Sequence, residues 1–346
     1  MASSAEGTGG QRVQQRASAV SEFSGCLGRR SGLLDLVFVS YYRRSSFAST
    51  LSAVHLPPLP SIDVIAQPAP SSADEISSEI SSELSSEISS ELSSVLADDR
   101  RLVALDGVHN FRDLGGYPAC GGTTRWGMVY RADGLQRLTA DDLIALRERG
   151  LSMVIDLRTD GEINERGRYP IEQHAVAYHH LPVLDRTWQA EDVPEFSTDH
   201  DFLMWAYRDM LRVGGDKLAA ALGIIATADA TPLVFHCAAG KDRTGLLAAL
   251  LLSILGVPDN YIAADYAKTE EGMVRMRAWA MEQSPEEAAR MANSPQHYYA
   301  SPPGVIHTLL AELRQEHGSV IDFVGGIGVS DATITALRDR LVAPNE

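Results

Sequence analysis

From residue 101 onward this sequence predicts an α/β fold with a mostly parallel central sheet and helices on both of its faces. Two observations lead there. Short, continuously apolar runs alternate with helical stretches, and Gly, Pro or capping residues bound them, the pattern of strands buried on two sides. Composition also changes near residue 100, separating this region from residues 1–100, which are rich in Ser, Ala, Gln and Pro.

The elements follow in order. Trp126 to Arg131 (WGMVYR) reads as a strand. Thr139 is an N-cap with Asp141 and Asp142 in the first turn, and its helix should stop at Gly150. Leu151 to Leu157 (LSMVIDL) is a second strand. After a helical stretch from Asp216 to Ala226 comes a third, Leu233 to His236 (LVFH). A strongly apolar helix starts near Arg243 or Thr244 and ends at Gly256 and Pro258. A polar, Met-rich segment from about Thr269 to Ala292 is helical, the loop Asn293 to Pro303 follows, and Ser330 caps a last amphipathic helix to Leu341. With Met273, Met276, Met281 and Met291 beside many charges, the Met-rich segment is either a mobile cover over a site or an outer helix pair.

The chain has 346 residues, 45% of them apolar, enough for one catalytic domain with an appendage. Its 30 basic and 46 acidic residues leave a net charge of −16. Broad attraction to nucleic acid or to anionic membrane is not expected, so an anionic substrate must be captured by a local cluster of donors. No apolar run outside a core helix reaches the roughly 20 residues that span a bilayer, so stable membrane insertion is not expected. Cys26, Cys120 and Cys237 have no metal-ligand spacing and an odd count for disulfides, which favours a reducing, cytoplasmic setting. Gly32 to Tyr42 after Arg29 and Arg30 has the outline of a twin-arginine export signal, but Asp35 interrupts it and no clear cleavage site follows. From Glu75 to Leu96 the chain repeats Ser-Ser-Glu-Ile or Ser-Ser-Glu-Leu. Its apolar residues fall on one drifting helical stripe, yet so much Ser favours a low-complexity segment, disordered or weakly helical, over a partner-binding helix.

The chemistry concentrates in Leu233 to Gly256, LVFHCAAGKDRTGLLAALLLSILG. Cys237 follows the end of a buried strand and faces the N-terminus of a buried helix. Free helix N–H groups, the positive end of the macrodipole and nearby Lys241 and Arg243 all stabilise an anion there, and a thiolate is a nucleophile. Backbone amides from Ala238, Ala239 and Gly240 through Arg243 can curl round phosphate oxygens, with Gly240 permitting a left-handed turn. Arg243 supplies a planar fork for two of those oxygens. Thr244 can hydrogen-bond the sulfur as it leaves. Asp242 is the candidate to protonate the departing oxygen and then activate water, and Lys241 could hold a second anionic group or favour the thiolate. A lone buried cysteine is ordinarily inert, and His236 alone would be a satisfied core histidine. Packing gives no reason to gather Cys, Gly, Lys, Asp, Arg and Thr in one loop.

HCAAGKDRTG resembles the signature loop of bacterial cysteine-dependent tyrosine phosphatases, the group that includes a secreted mycobacterial enzyme acting also on phosphoinositides. The resemblance continues through NFRDLGGY (Asn110 to Tyr117), WGMVYRADGL (Trp126 to Leu135) and VIDLRTDGEI (Val154 to Ile163). It implies a protein-tyrosine-phosphatase-like fold with a helical lid, Cys237 as nucleophile, Arg243 as phosphate binder and Asp242 as general acid. Asp185 is a weaker candidate for that acid, by analogy with eukaryotic relatives that carry it on a separate loop. Asp156 and Arg158 match a strand-end pair that braces the phosphate loop. No metal or organic cofactor is implied, and some relatives leave the cell without an ordinary signal peptide.

Expected partners are phosphotyrosine proteins or other phosphomonoesters, with phosphoinositides or inositol phosphates as the alternative, towards which Lys241 points. A phosphate-binding adaptor would be expected to lose Cys237, Asp242 or Arg243, and all three are present. Sulfur transfer or arsenate reduction gains nothing from Asp242 and Thr244, and arsenate reduction would need Cys120 brought close as a resolving cysteine.

Overall fold

The computed structural model describes residues 89–188, 193–227, 232–294 and 298–345. Cys26, the Arg29–Arg30 segment and the Ser-Ser-Glu repeat before residue 89 lie outside them, and residues 89–96 of that repeat are helical. The chain divides into two units, Met1–Ser93 and Ser94–Glu346, of which the second is described here.

Its strands are β1 Arg112–Asp113, β2 Pro118–Ala119, β3 Gly122–Thr124, β4 Val129–Ala132, β5 Met153–Asp156, β6 Ala177–His180, β7 Leu233–His236 and β8 Val342–Pro344. The helices are α1 Ala140–Glu148, α2 Asp160–Arg166, α3 Asp199–Ile225, α4 Asp242–Ile254, α5 Asp259–Ala267, α6 Thr269–Gln283, α7 Pro285–Asn293, α8 Pro303–His317, α9 Val320–Gly326 and α10 Asp331–Leu341. The central sheet has the order β1-β4-β7-β5-β6. Its β4–β7, β7–β5 and β5–β6 pairs are parallel, and only the edge strand β1 runs antiparallel. A small second sheet, β2-β3-β8, was not foreseen.

Alternation along the strands gives the sheet two apolar faces. Tyr130, Ala132, Val154 and Val234 share a cluster with Leu143 and Leu146 of α1. Leu233 and Phe235 point the other way, towards α4, which packs on β4 and β7. That sandwiched position explains why α4 is apolar all round: Leu246, Leu247, Leu250, Leu251, Leu252 and Ile254 are all buried, each contributing on the order of 2 kcal/mol through burial.

Boundaries differ from the sequence reading where tertiary contacts intervene. β4 begins at Val129 rather than Trp126, because Gly127 turns with φ +73° and donates its N–H to Asp113 at 2.7 Å. Helix α3 begins at the Thr198 cap, well before Asp216, and runs through Gly214 and Gly215. A pair of glycines normally weakens a helix, but a Cβ on Gly214 would lie 2.4 Å from the Val183 carbonyl oxygen, so close packing requires the glycine there. The Met-rich segment is two helices, broken at Ser284 (φ −146°, ψ 82°) because the residue before Pro285 is driven out of the helical region.

Candidate active site

The register of the parallel strands brings Ala132, His236 and Asp156 level at the carboxyl edge of the sheet. Open α/β sheets bind their ligands outside this edge. Cys237 comes next in the chain and is buried, and it is free. The residues between Cys237 and α4 form a closed loop whose carbonyl groups are tied outward. Gly134 N–H donates to the Ala238 oxygen at 3.1 Å, the Asn110 side-chain amide to the Ala239 oxygen at 3.0 Å, and Arg131 to the Gly240 oxygen at 2.8 Å. Across a planar trans peptide the next N–H points opposite to the carbonyl. The amides of Ala239, Gly240 and Lys241 therefore turn to the inside of the loop, where an anion would sit. Gly240 adopts φ +68°, and a Cβ there would meet the Ala132 carbonyl at 2.6 Å. Lys241 is the N-cap of α4 and no side chain caps the helix, so its first-turn N–H groups add to the cradle.

A buried charge network holds the anchors themselves. Asp265 on α5 pairs with Arg112 at 2.9 Å and Arg131 at 2.5 Å, and accepts from Tyr117 at 2.9 Å. Arg112 in turn donates to the Asn110 side chain. Burial raises the Asp265 carboxyl, but the two guanidinium groups outweigh it and hold the group well below the ordinary range. Asn110 and Arg131 lie within the quoted motifs yet were given no role, and Asp265 was missed. An arginine inside the apolar run VYRA was the available signal.

Arg243 donates to both oxygens of Glu162, at 2.5 and 2.8 Å. Glu162 is also the N3 residue of the capping box that starts α2 from Thr159. Its burial opposes ionisation, but the hydrogen bonds and charge of Arg243, with the Thr159 N–H, bring its carboxyl down to about 2. Sequence reading gave Glu162 no role, because its partner is 81 positions away. Thr244 is buried, and its hydroxyl has no hydrogen-bond partner among the described residues. Asp242 accepts from Tyr207 at 2.9 Å and lies 2.9 Å from Lys241. Lys241 is not an open cation, as the alternative reading would want: it is buried, and its ammonium also donates to the Ala300 carbonyl at 3.1 Å.

Asp156 and Arg158 pair with each other at 2.6 Å. Arg158 also reaches Gln136 and the Gly167 carbonyl, each at 3.0 Å, and Tyr178 donates to Asp156 at 2.8 Å. No described hydrogen bond joins either side chain to residues 237–243, so bracing of the loop by this pair would be indirect, through His236. His236 lies 3.4 Å from Asp156, and its other ring nitrogen is 3.2 Å from the Cys237 carbonyl. Asp185 is exposed, and no described hydrogen bond joins it to the loop. Cys120 sits beside Gly256, beyond the far end of α4. The 13 residues of that helix place about 20 Å between Cys120 and Cys237, too far for a resolving cysteine. The Met-rich helices pack over the loop: Met273, Met276 and Met291 form a cluster against Ala239, Trp279 and Tyr299. Met281 points to solvent.

The chain is similar to several known proteins. A family model described as the tyrosine phosphatase family matches residues 103–343. A Cupriavidus necator protein assigned to the tyrosine-protein phosphatases is 39% identical over 232 residues, covering 64% of this chain and 77% of that one. A tyrosine-protein phosphatase of Nostoc commune is 30% identical over 233 residues, covering 65% and 78%. The triple specificity protein phosphatase PtpB of Mycobacterium tuberculosis is 26% identical over 284 residues, covering 69% and 98%.

Proposed function

The chain belongs to the tyrosine phosphatase family, and from that premise we propose that it hydrolyses phosphotyrosine in proteins through Cys237, Arg243 and Asp242. The observation that carries this reading is the closed loop from Cys237 to Arg243, its carbonyls tied outward and its amides turned in. In this reading the inward amides hold the phosphate oxygens and the Cys237 sulfur attacks from the side opposite the ester bond. The thiolate attacks phosphorus, a P–S bond forms, the P–O ester bond breaks, and the leaving phenolate oxygen takes the proton of Asp242. Water then attacks phosphorus while the Asp242 carboxylate takes its proton. The P–S bond breaks, the thiolate is restored with help from the Thr244 hydroxyl, and inorganic phosphate departs. Cys237 is buried, and the α6–α7 helices pack against the neighbouring Ala239, so movement of that arm would widen access to the loop.

Glu162 fixes the plane of Arg243. Two of the five guanidinium N–H groups face Glu162, which leaves three, including Nε–H, for phosphate. Glu162→Gln is expected to lower kcat/KM by about 10- to 50-fold while leaving the nucleophile in place. A folded carboxyl near 2 lies below its unfolded value of about 4.3. The pair is therefore at full strength above about pH 5 and lost only as pH falls towards 2. The Gln deficit should thus be constant across neutral pH in steady-state profiles.

Substrate class is tested by comparing turnover of a phosphotyrosine peptide with that of dispersed phosphoinositides. The half-exposed ring of Tyr298, near Asp242, and the occupied Lys241 favour the peptide. Its kcat/KM is expected to exceed that of the lipids by at least about tenfold. Faster turnover of the lipids would replace this reading with the phosphoinositide one.

A further inference from the structure

Asp242, the first residue of α4, uses only one of its oxygens in the structure. Oδ1 accepts from the Tyr207 hydroxyl at 2.9 Å and lies 2.9 Å from the Lys241 ammonium, while no described hydrogen bond engages Oδ2. Tyr207 is on α3 and Tyr266 on α5. Both are buried, with hydroxyl oxygens 2.6 Å apart and rings nearly perpendicular at 6.2 Å. A phenol has one proton to donate. Since Tyr207 gives its proton to Asp242, Tyr266 is the donor to Tyr207, and a directed chain runs from Tyr266 through Tyr207 to Oδ1.

We propose that Tyr207, backed by Tyr266, is a positioning residue for proton transfer: by occupying Oδ1 it places the proton of neutral Asp242 on Oδ2, the oxygen left for the leaving group. This rests on the reading of Asp242 as the general acid. A proton on Oδ1 would meet two donors head-on, so the neutral acid carries it on Oδ2. When the ester bond breaks, its electron pair goes to the leaving oxygen, which takes the Oδ2 proton. Asp242 is left as a carboxylate that Tyr207 and Lys241 already stabilise, ready to deprotonate water in the second step.

Among the described residues, the groups facing Asp242 are Tyr207 from α3, Tyr266 from α5, Tyr298 from the segment before α8, and Lys241 and Arg243 from its own loop. Burial, then the Asp242 charge and the Tyr266 contact, push the Tyr207 phenol well above its ordinary range. It stays protonated and remains a donor wherever the enzyme is assayed.

The test is steady-state kinetics of the full chain with Tyr207→Phe, Tyr266→Phe, the double variant and Asp242→Asn, over roughly pH 5 to 9. Two substrates separate the steps: nitrophenyl phosphate, whose phenolate leaves without a proton, and phenyl phosphate, whose phenolate needs one. Leaving-group protonation is needed for phenyl phosphate and not for nitrophenyl phosphate, so Tyr207→Phe should lower kcat/KM on the phenyl ester about tenfold and hold that on the nitrophenyl ester within about twofold. Tyr266→Phe should split the two esters the same way by less. Equal losses of kcat/KM on both esters, or no loss on the phenyl ester in either single variant or in the thermally checked double variant, would overturn the proposal. Unchanged turnover of phenyl phosphate by Asp242→Asn would instead remove Asp242 as the acid.

Discussion

Cys237→Ser protein is expected to release no phenol from aryl phosphates above background, a loss of at least about 10⁴-fold, while unfolding at nearly the parent's temperature. Serine is close in shape to cysteine, so a buried position loses little packing. Its hydroxyl, however, is far less acidic than a thiol, and the nearest ring, His236, has one nitrogen at the Cys237 carbonyl and the other beside Asp156. Among the described residues, no base is hydrogen-bonded to the side chain at position 237 to activate a serine. The variant should still bind phosphate esters, because Arg243 and the loop amides remain. Arg243→Lys should lose about 10³-fold in kcat, since a lysine ammonium replaces a fork with a point charge and leaves Glu162 half-paired. Both are read by release of a chromogenic phenol beside a melting curve. Activity surviving in a folded Cys237→Ser protein would mean that the cysteine is not the nucleophile.

Asp265→Ala is expected to be the most destabilising single change in the catalytic unit, by about 3–5 kcal/mol, because it leaves two buried guanidinium groups uncompensated. Arg112 and Arg131 are both within hydrogen-bond reach of that one carboxylate. Losing it also frees Arg131 from its place on the Gly240 carbonyl and disturbs Asn110, so catalysis should fall below the melting temperature. Urea unfolding measures the first effect as a lower midpoint at unchanged slope. A shift of less than about 1 kcal/mol would mean that the network carries little of the stability. The pH dependence has a definite sign. The folded carboxyl is held below its unfolded value of about 3.9, so its contribution is complete above that value and lost as pH falls below it. Parent protein should therefore lose stability on acidification in a range where Asp265→Ala changes less.

The cysteine loop was legible because its chemistry is local. Cys237, Gly240, Asp242, Arg243 and Thr244 lie within eight consecutive positions, and strand, loop and helix signals flank them directly. β7 was placed at its observed ends, as was the stop of α1 at Gly150, because a short apolar run and a capped helix are patterns of neighbouring residues. Residues whose partners are distant in sequence were not legible. Asp265, Tyr207 and Glu162 act on the loop from α5, α3 and α2, and nothing in their own surroundings marks them. The start of α3 was obscured for the same reason: a glycine pair reads as a break until Val183 is seen packed against it. Lys241 shows the opposite failure, since its place in the loop suggested an open cation and the fold buried it against Ala300.

The sequence by itself determined the proposed nucleophile and phosphate fork and the strand-to-helix geometry that presents them, since the covalent chain sets the spacing of those groups. Tertiary structure alone decided what holds them: which carbonyls are tied outward, which carboxylate pairs with Arg243, and which oxygen of Asp242 Tyr207 engages. Those choices depend on contacts between elements far apart in the chain, where burial turns an ordinary polar side chain into a fixed partner.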